Sequence, residues 1–287
     1  MKDYVRENQR ILDDWGAKFI KDKECDEAYN GYNAADYFAQ DGIMNKGSFY
    51  IDSERDNACF REPSNDGLEN KLWSQAPLRV LFLSKDENGY GGTAWDVRSE
   101  TFHIKGLELP IKDYQISGSF FFQNEACLLY CLLNASLNSQ IADITSFSWE
   151  DAVRFSDNEI FARINCKKEV GESTCQNWVL QEAIEKYDTF LGKQIKNLDA
   201  DVMICCGRSK QIGGTQNLIL NYLNSIGYDF EKIGGECGDE LFFDKRNNKV
   251  ALNIYHLSYF RYNYIKTIEA YYKFIQLHPE FINSHRK

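Results

Sequence analysis

Three segments of this chain each place a chemically capable side chain just after a strand-like apolar run. Val80-Leu81-Phe82-Leu83 leads into Ser84-Lys85-Asp86-Glu87-Asn88-Gly89, and Phe161-Ala162-Arg163-Ile164 leads into Asn165-Cys166-Lys167-Lys168. Val250-Ala251-Leu252-Asn253-Ile254-Tyr255 leads into His256-Leu257-Ser258. An acid, an amide and an imidazole that meet could surround one nucleobase. The carboxylate holds water and favours nearby positive charge, the amide offers a donor and an acceptor to a base edge, and a neutral imidazole donates to a base oxygen. In an open α/β sheet, ligands gather outside the carboxyl ends of the strands, so segments far apart in sequence converge there.

Positioning these segments requires strands that alternate with helices. Apolar spacing predicts a first helix over about residues 4–20, with Val5, Ile11, Leu12, Trp15 and Phe19 on one face, as an accessory layer. Residues 21–74 are rich in Asp, Asn, Gly and Ser and read as an irregular wrap with short elements near 37–38 and 49–51. From Leu78 the pattern sharpens. Strands are expected over 78–83, up to Asn165, over 201–206, 241–243 and 249–255; helices over 119–137, 175–198, 214–226 and 263–277. Trp178 and Val179 are placed on the buried side of the 175–198 helix. Alternation of this kind predicts a three-layer α/β/α domain with a mainly parallel sheet over residues 78–287, and residues 1–77 as a helix and irregular elaboration packed on it.

The order of carboxylate, Asn and His-x-Ser resembles the uracil-DNA glycosylase superfamily over roughly residues 78–275. The resemblance implies that Asp86 activates water, Asn165 reads the base, and His256 with Ser258 forms the terminal loop. Glu87 stands where the family has Pro, and Leu257 stands where the terminal loop has its middle Pro, so the φ constraint of both prolines is lost. Glu87 competes with Asp86, since a one-residue shift in the turn exchanges which carboxylate faces the pocket. Uracil-specific relatives block C5-substituted bases with an aromatic two places after the activating Asp. Here Asn88 occupies that place, followed by Gly89-Tyr90-Gly91-Gly92. The resemblance therefore implies a DNA glycosylase that accepts a uracil-like or 5-substituted pyrimidine, in defence against phage DNA, working as a monomer without cofactor or metal. Asn88 and Phe102 are the further base-binding candidates; Ser258, Lys167, Lys168, Lys210 and Arg261 are the DNA-binding ones. Each residue also has an ordinary reading: Asp86 as a turn acid, Asn165 as a core amide, Ser258 as a turn cap, Phe102 as core.

The chain has 287 residues, 43% of them hydrophobic, enough to bury a substantial core. No apolar run approaches the ~20 residues of a membrane span, and Met1-Lys2-Asp3-Tyr4 opens no signal peptide, so a cytoplasmic protein is expected. The nine cysteines form no Cys-x-x-Cys pair and are expected to be reduced and mostly buried, with no iron-sulfur cluster. A net charge of −10 opposes phosphate binding, although Lys85, Arg98, Lys167, Lys168, Arg208, Lys210 and Arg261 recur near the strand ends. Two other classes stay open. One is a catalytically silent nucleic-acid-binding module; the other is a nucleotide-processing enzyme whose Gly89-Tyr90-Gly91-Gly92 cradles phosphate.

Overall fold

The computed structural model describes residues 2–24, 26–52, 58–86, 93–102, 119–140, 146–171, 175–211, 214–234, 237, 240–259 and 263–285. Its centre is a mixed sheet of seven strands. Four are parallel and adjacent: β5 (Ala162–Asn165), β4 (Val80–Ser84), β6 (Val202–Cys205) and β11 (Lys249–Asn253). Every residue of these four is buried, as expected of parallel strands covered on both faces. The antiparallel strands sit at the margins: β1 (Gly42–Ile43) beside β5, then β10 (Leu241–Asp244) and β9 (Glu231–Lys232) beyond β11. Strand order reverses direction at β4, the first of the parallel set, which is where such sheets leave a crevice at their carboxyl edge.

Side chains alternate across the sheet and build a core on each face. Val80, Phe82, Ile204 and Leu252 pack against α3 (Phe120–Asn134), α4 (Trp149–Asn158), α7 (Tyr264–Leu277) and α8 (Pro279–His285). Leu81, Leu83, Met203 and Ala251 pack against α1 (Tyr4–Lys23), α2 (Leu68–Gln75), α5 (Asn177–Leu198) and α6 (Leu218–Ser225). The expected three layers are therefore present. The helix over α1 is more than an accessory, because its Leu12, Trp15 and Phe19 lie in the same buried cluster as Leu81 and Leu83.

Three local differences from the expected elements have plain causes. Gly214–Asn217 is β8, paired with β7 (Arg208–Gln211), where a helix was expected. The Asn217 side chain accepts the N–H groups of Ile219 and Leu220 and so opens α6 only at Leu218. α4 was not anticipated, although Ser148 caps it by accepting the Asp151 N–H at 3.1 Å. The irregular wrap holds the hairpin of β2 (Phe49–Asp52) and β3 (Ala58–Arg61) as well as α2. No described helix is long and apolar enough to cross a membrane.

Trp15 is fully buried against Phe38, Tyr187 and Phe190. Trp15→Ala is expected to lower unfolding free energy by about 3–5 kcal/mol, read from urea denaturation; a loss below about 1 kcal/mol would mean that α1 is dispensable.

Candidate active site

The four parallel strands end together. Ser84 is in register with Asn165, Leu83 with Cys205, and Asn253 with Cys205. Alternation puts Ser84 and Asn165 on the α3 side, together with Phe82 and Arg163. The Ser84 hydroxyl is buried and makes no well-formed hydrogen bond, the Cys206 thiol being near it on the same face of the sheet. Asn165 is 6% exposed, and no described residue hydrogen-bonds its side-chain amide. Its backbone is clamped instead: the N–H donates to Asp41 Oδ2 at 2.7 Å and the carbonyl accepts Lys168 Nζ at 2.9 Å. A buried hydroxyl and an amide held only through its main chain thus sit side by side, where a ligand edge would find polar partners.

Asp41 itself is fully buried. Its carboxylate also takes Lys168 Nζ and, at 2.7 Å, Gln194 Nε2, while its carbonyl takes Asn8 Nδ2 at 2.8 Å. Lys168 lies 4.9 Å from the Trp15 ring, and burial pushes its ammonium pKa down against the pull of Asp41. This corrects the expected DNA-binding role, because an enclosed, paired ammonium has no face for a phosphate. Phe102 is corrected likewise: it is 2% exposed, stacked 6.2 Å from Phe161, and belongs to the core rather than to a base. Below the site, Arg163 pairs with Glu125 and Glu100 and lies 5.6 Å from the Phe121 ring.

Asp86 follows Ser84 by two residues and is nearly buried, its carboxylate 3.4 Å from Lys167 Nζ. Burial raises its pKa above the usual carboxylate value, and Lys167, the Cys175 thiol and Lys85 oppose that rise. A carboxylate that holds its proton more firmly than free Asp is the better general base. Gly171 packs against it, and a Cβ there would stand 2.1 Å from Asp86 Oδ2, so a larger residue would displace the acid. Lys167 is spent on Asp86 and on the Glu169 carbonyl. Lys85 donates to the Cys175 carbonyl at 3.3 Å and to Asn177 Oδ1 at 2.9 Å.

His256 extends β11 by three residues, and its ring lies 5.7 Å from that of Phe121. Its Nδ1 lies 2.7 Å from Ser258 Oγ and 3.4 Å from the Ser258 N–H. A backbone N–H can only donate, so Nδ1 accepts and the neutral ring carries its proton on Nε2. Burial, with Lys85 nearby, lowers the His256 pKa to about 4. Ser258 is exposed and orients the imidazole. Leu257, in the place of the missing Pro, is fully buried, and its carbonyl accepts Asn124 Nδ2 of α3 at 2.7 Å.

Glu87, Asn88 and Arg261 lie outside the described residues, and Lys210 is described only as backbone of β7. Arg98 pairs with Asp96 and Arg208 with Glu240. Sequence reasoning missed Ser84 and Phe121; the run Phe120-Phe121-Phe122 at a helix start was the available signal for the latter. Among the described residues no group of three or more His, Cys, Asp or Glu could hold a metal, and eight cysteines are free thiols. No protein-family model matches the chain, and no curated protein or solved structure is significantly similar to it.

The His256 ring resonances are expected to titrate near pH 4 by NMR rather than at the ordinary 6.5. Between those values the unfolded chain binds the extra proton, so this contribution to stability is full above pH 6.5 and is lost as pH falls toward 4. A midpoint near 6.5 would place the ring in water. Asp41→Ala, which leaves Lys168 buried and unpaired, is expected to cost about 3–5 kcal/mol in denaturant unfolding; an effect under 1 kcal/mol would contradict the clamp.

Proposed function

We propose that this protein is a DNA glycosylase of the uracil-DNA glycosylase type, hydrolysing the N-glycosidic bond of a flipped uracil-like or 5-substituted pyrimidine to leave an abasic site. The observation that carries the reading is the buried Ser84 hydroxyl in register with Asn165 at the end of β4 and β5, on the sheet edge from which β11 delivers the neutral His256 imidazole. Such groups match the edge of a base taken out of the stack. In this scheme the base departs with the glycosidic electron pair, and His256 Nε2–H stabilises the anion at its oxygen. Asp86 orients a water toward the electron-poor sugar carbon and takes its proton, which passes to the departed base. Phe121, beside His256, supplies the aromatic face that had been expected of Phe102.

Tolerance of a 5-substituent, and with it a role against phage DNA, rests on the resemblance alone, in which Asn88 takes the sequence place of the aromatic that blocks C5-substituted bases. A second reading, a catalytically silent nucleic-acid-binding module, draws support from the engagement of Asp86 by Lys167 and from the acidic net charge.

Base release from oligomers carrying uracil, thymine, 5-hydroxymethylcytosine or its glucosylated form decides between them. An abasic site is expected with at least one base, slowed about 10²–10³-fold by His256→Ala and about 10²–10⁴-fold by Asp86→Asn. No release from any of the four would leave the binding module; release of uracil alone would remove the argument from the gate.

A further inference from the structure

Lys85 holds its ammonium where helix α5 disfavours a cation. It follows β4, between Ser84 and Asp86, and its Nζ is fixed at the first residue of α5, donating to Asn177 Oδ1 at 2.9 Å and to the Cys175 carbonyl at 3.3 Å. Asn177 is held in turn, its Nδ2 donating to Ser209 Oγ of β7 at 3.1 Å. The start of a 22-residue helix is the positive end of its dipole, so a lysine there is opposed rather than helped by the helix. Arg98, Arg163, Arg208, Lys167 and Lys168 each pair with a carboxylate. Lys85 rests on two neutral oxygens, and no described carboxylate lies within ion-pair distance of it. Its charge is therefore uncancelled, and its place is set by α5 and β7 as well as by β4.

That charge falls on both chemical groups of the candidate site. Asp86 is the next residue, and its carboxyl, raised by burial, is drawn back by Lys167, by the Cys175 thiol and by Lys85. The His256 ring loses proton affinity chiefly through burial, and Lys85 lowers it further. Lys85 is the only charge among the described residues that bears on this ring, which otherwise meets Phe121 of α3 and Ser258. A positive charge favours a neighbouring carboxylate in its ionised form and a neighbouring imidazole in its neutral form. One ammonium thus serves an anion and an uncharged donor at once.

We propose that Lys85 is a positioning residue of this site: held in place by Asn177, it keeps Asp86 an anion able to take a proton from water and His256 an uncharged ring able to donate from Nε2. The proposal rests on the glycosylase reading of Asp86 and His256 and names the residue that sets their charge.

The test is NMR titration of the full chain, isotope-labelled in its histidine rings and aspartate carboxyl carbons, as the parent and as Lys85→Met, Lys85→Arg and Asn177→Ala. Base release from oligomers carrying the same panel of bases is followed across pH beside it. The chain has four histidines, so the His256 signal is assigned by its loss in His256→Ala, and that of Asp86 by its loss in Asp86→Asn. In Lys85→Met both midpoints are expected to rise by about half a pH unit or more. His256 then moves up from about 4 toward 6.5, and the acid limb of base release moves to higher pH with the midpoints. Lys85→Arg, which keeps the charge, should return both midpoints toward the parent, and Asn177→Ala should give a smaller rise in the same direction. Because the helix opposes the cation, melting of Lys85→Met by circular dichroism is expected to move by less than about 4 °C. Parent-like midpoints in Lys85→Met, or a large fall in melting temperature with neither midpoint shifted, overturns the proposal. Shifted midpoints in a chain that releases no base would keep the electrostatic role and discard the glycosylase; base release whose acid limb and midpoints ignore Lys85→Met would do the reverse.

Discussion

The Asp41 carboxylate joins the parts of this molecule that must agree for the site to exist. It receives the backbone of Asn165, the ammonium of Lys168 and the amide of Gln194, while Asn8 holds the Asp41 carbonyl. Those partners belong to β5, to the segment after it, to α5 and to α1. A carboxylate this deep is tolerable only because its hydrogen-bonding capacity is filled by a cation and by oriented N–H groups. In return the last residue of β5 is held from its main chain, which leaves the Asn165 side chain uncommitted.

The same logic of paired charge runs through the region below and beside the site. Arg163 is buried yet satisfied by Glu125 and Glu100, and Asp86 is nearly buried yet offset by Lys167. Among the described residues, these pairs add polarity to the carboxyl edge without adding net positive charge. A net charge of −10 is then compatible with a site built for the uncharged face of a ligand rather than for its phosphates.

The strand ends were legible because parallel strands covered on both faces read as unbroken apolar runs, and each run here stops at a polar residue. What failed were the inferences about direction. Lys168 looked like a surface cation because its partner lies 127 residues away, beyond any local pattern. Phe102 is close to the site in sequence, but its backbone N–H is fixed by Asp157 and the ring turns into the core. Trp178 stands two residues, about 200° of helix, from the buried Leu180 and on the face of the exposed Gln181, Glu182 and Glu185, so the helix itself turns it to solvent. Ser84 passed unnoticed because a serine after an apolar run reads as the start of a turn, and only pairing in three dimensions shows that its hydroxyl is enclosed.

Leu257 carries a mechanical consequence. Where a proline would stiffen the loop from within, this chain ties it from outside, through a buried side chain and the bond from Asn124. The same first turns of α3 carry Phe121 against His256. The position of the His256 imidazole is therefore set by the first turns of α3 as much as by β11, so that a shift of the start of α3 carries the ring and its aromatic neighbour together.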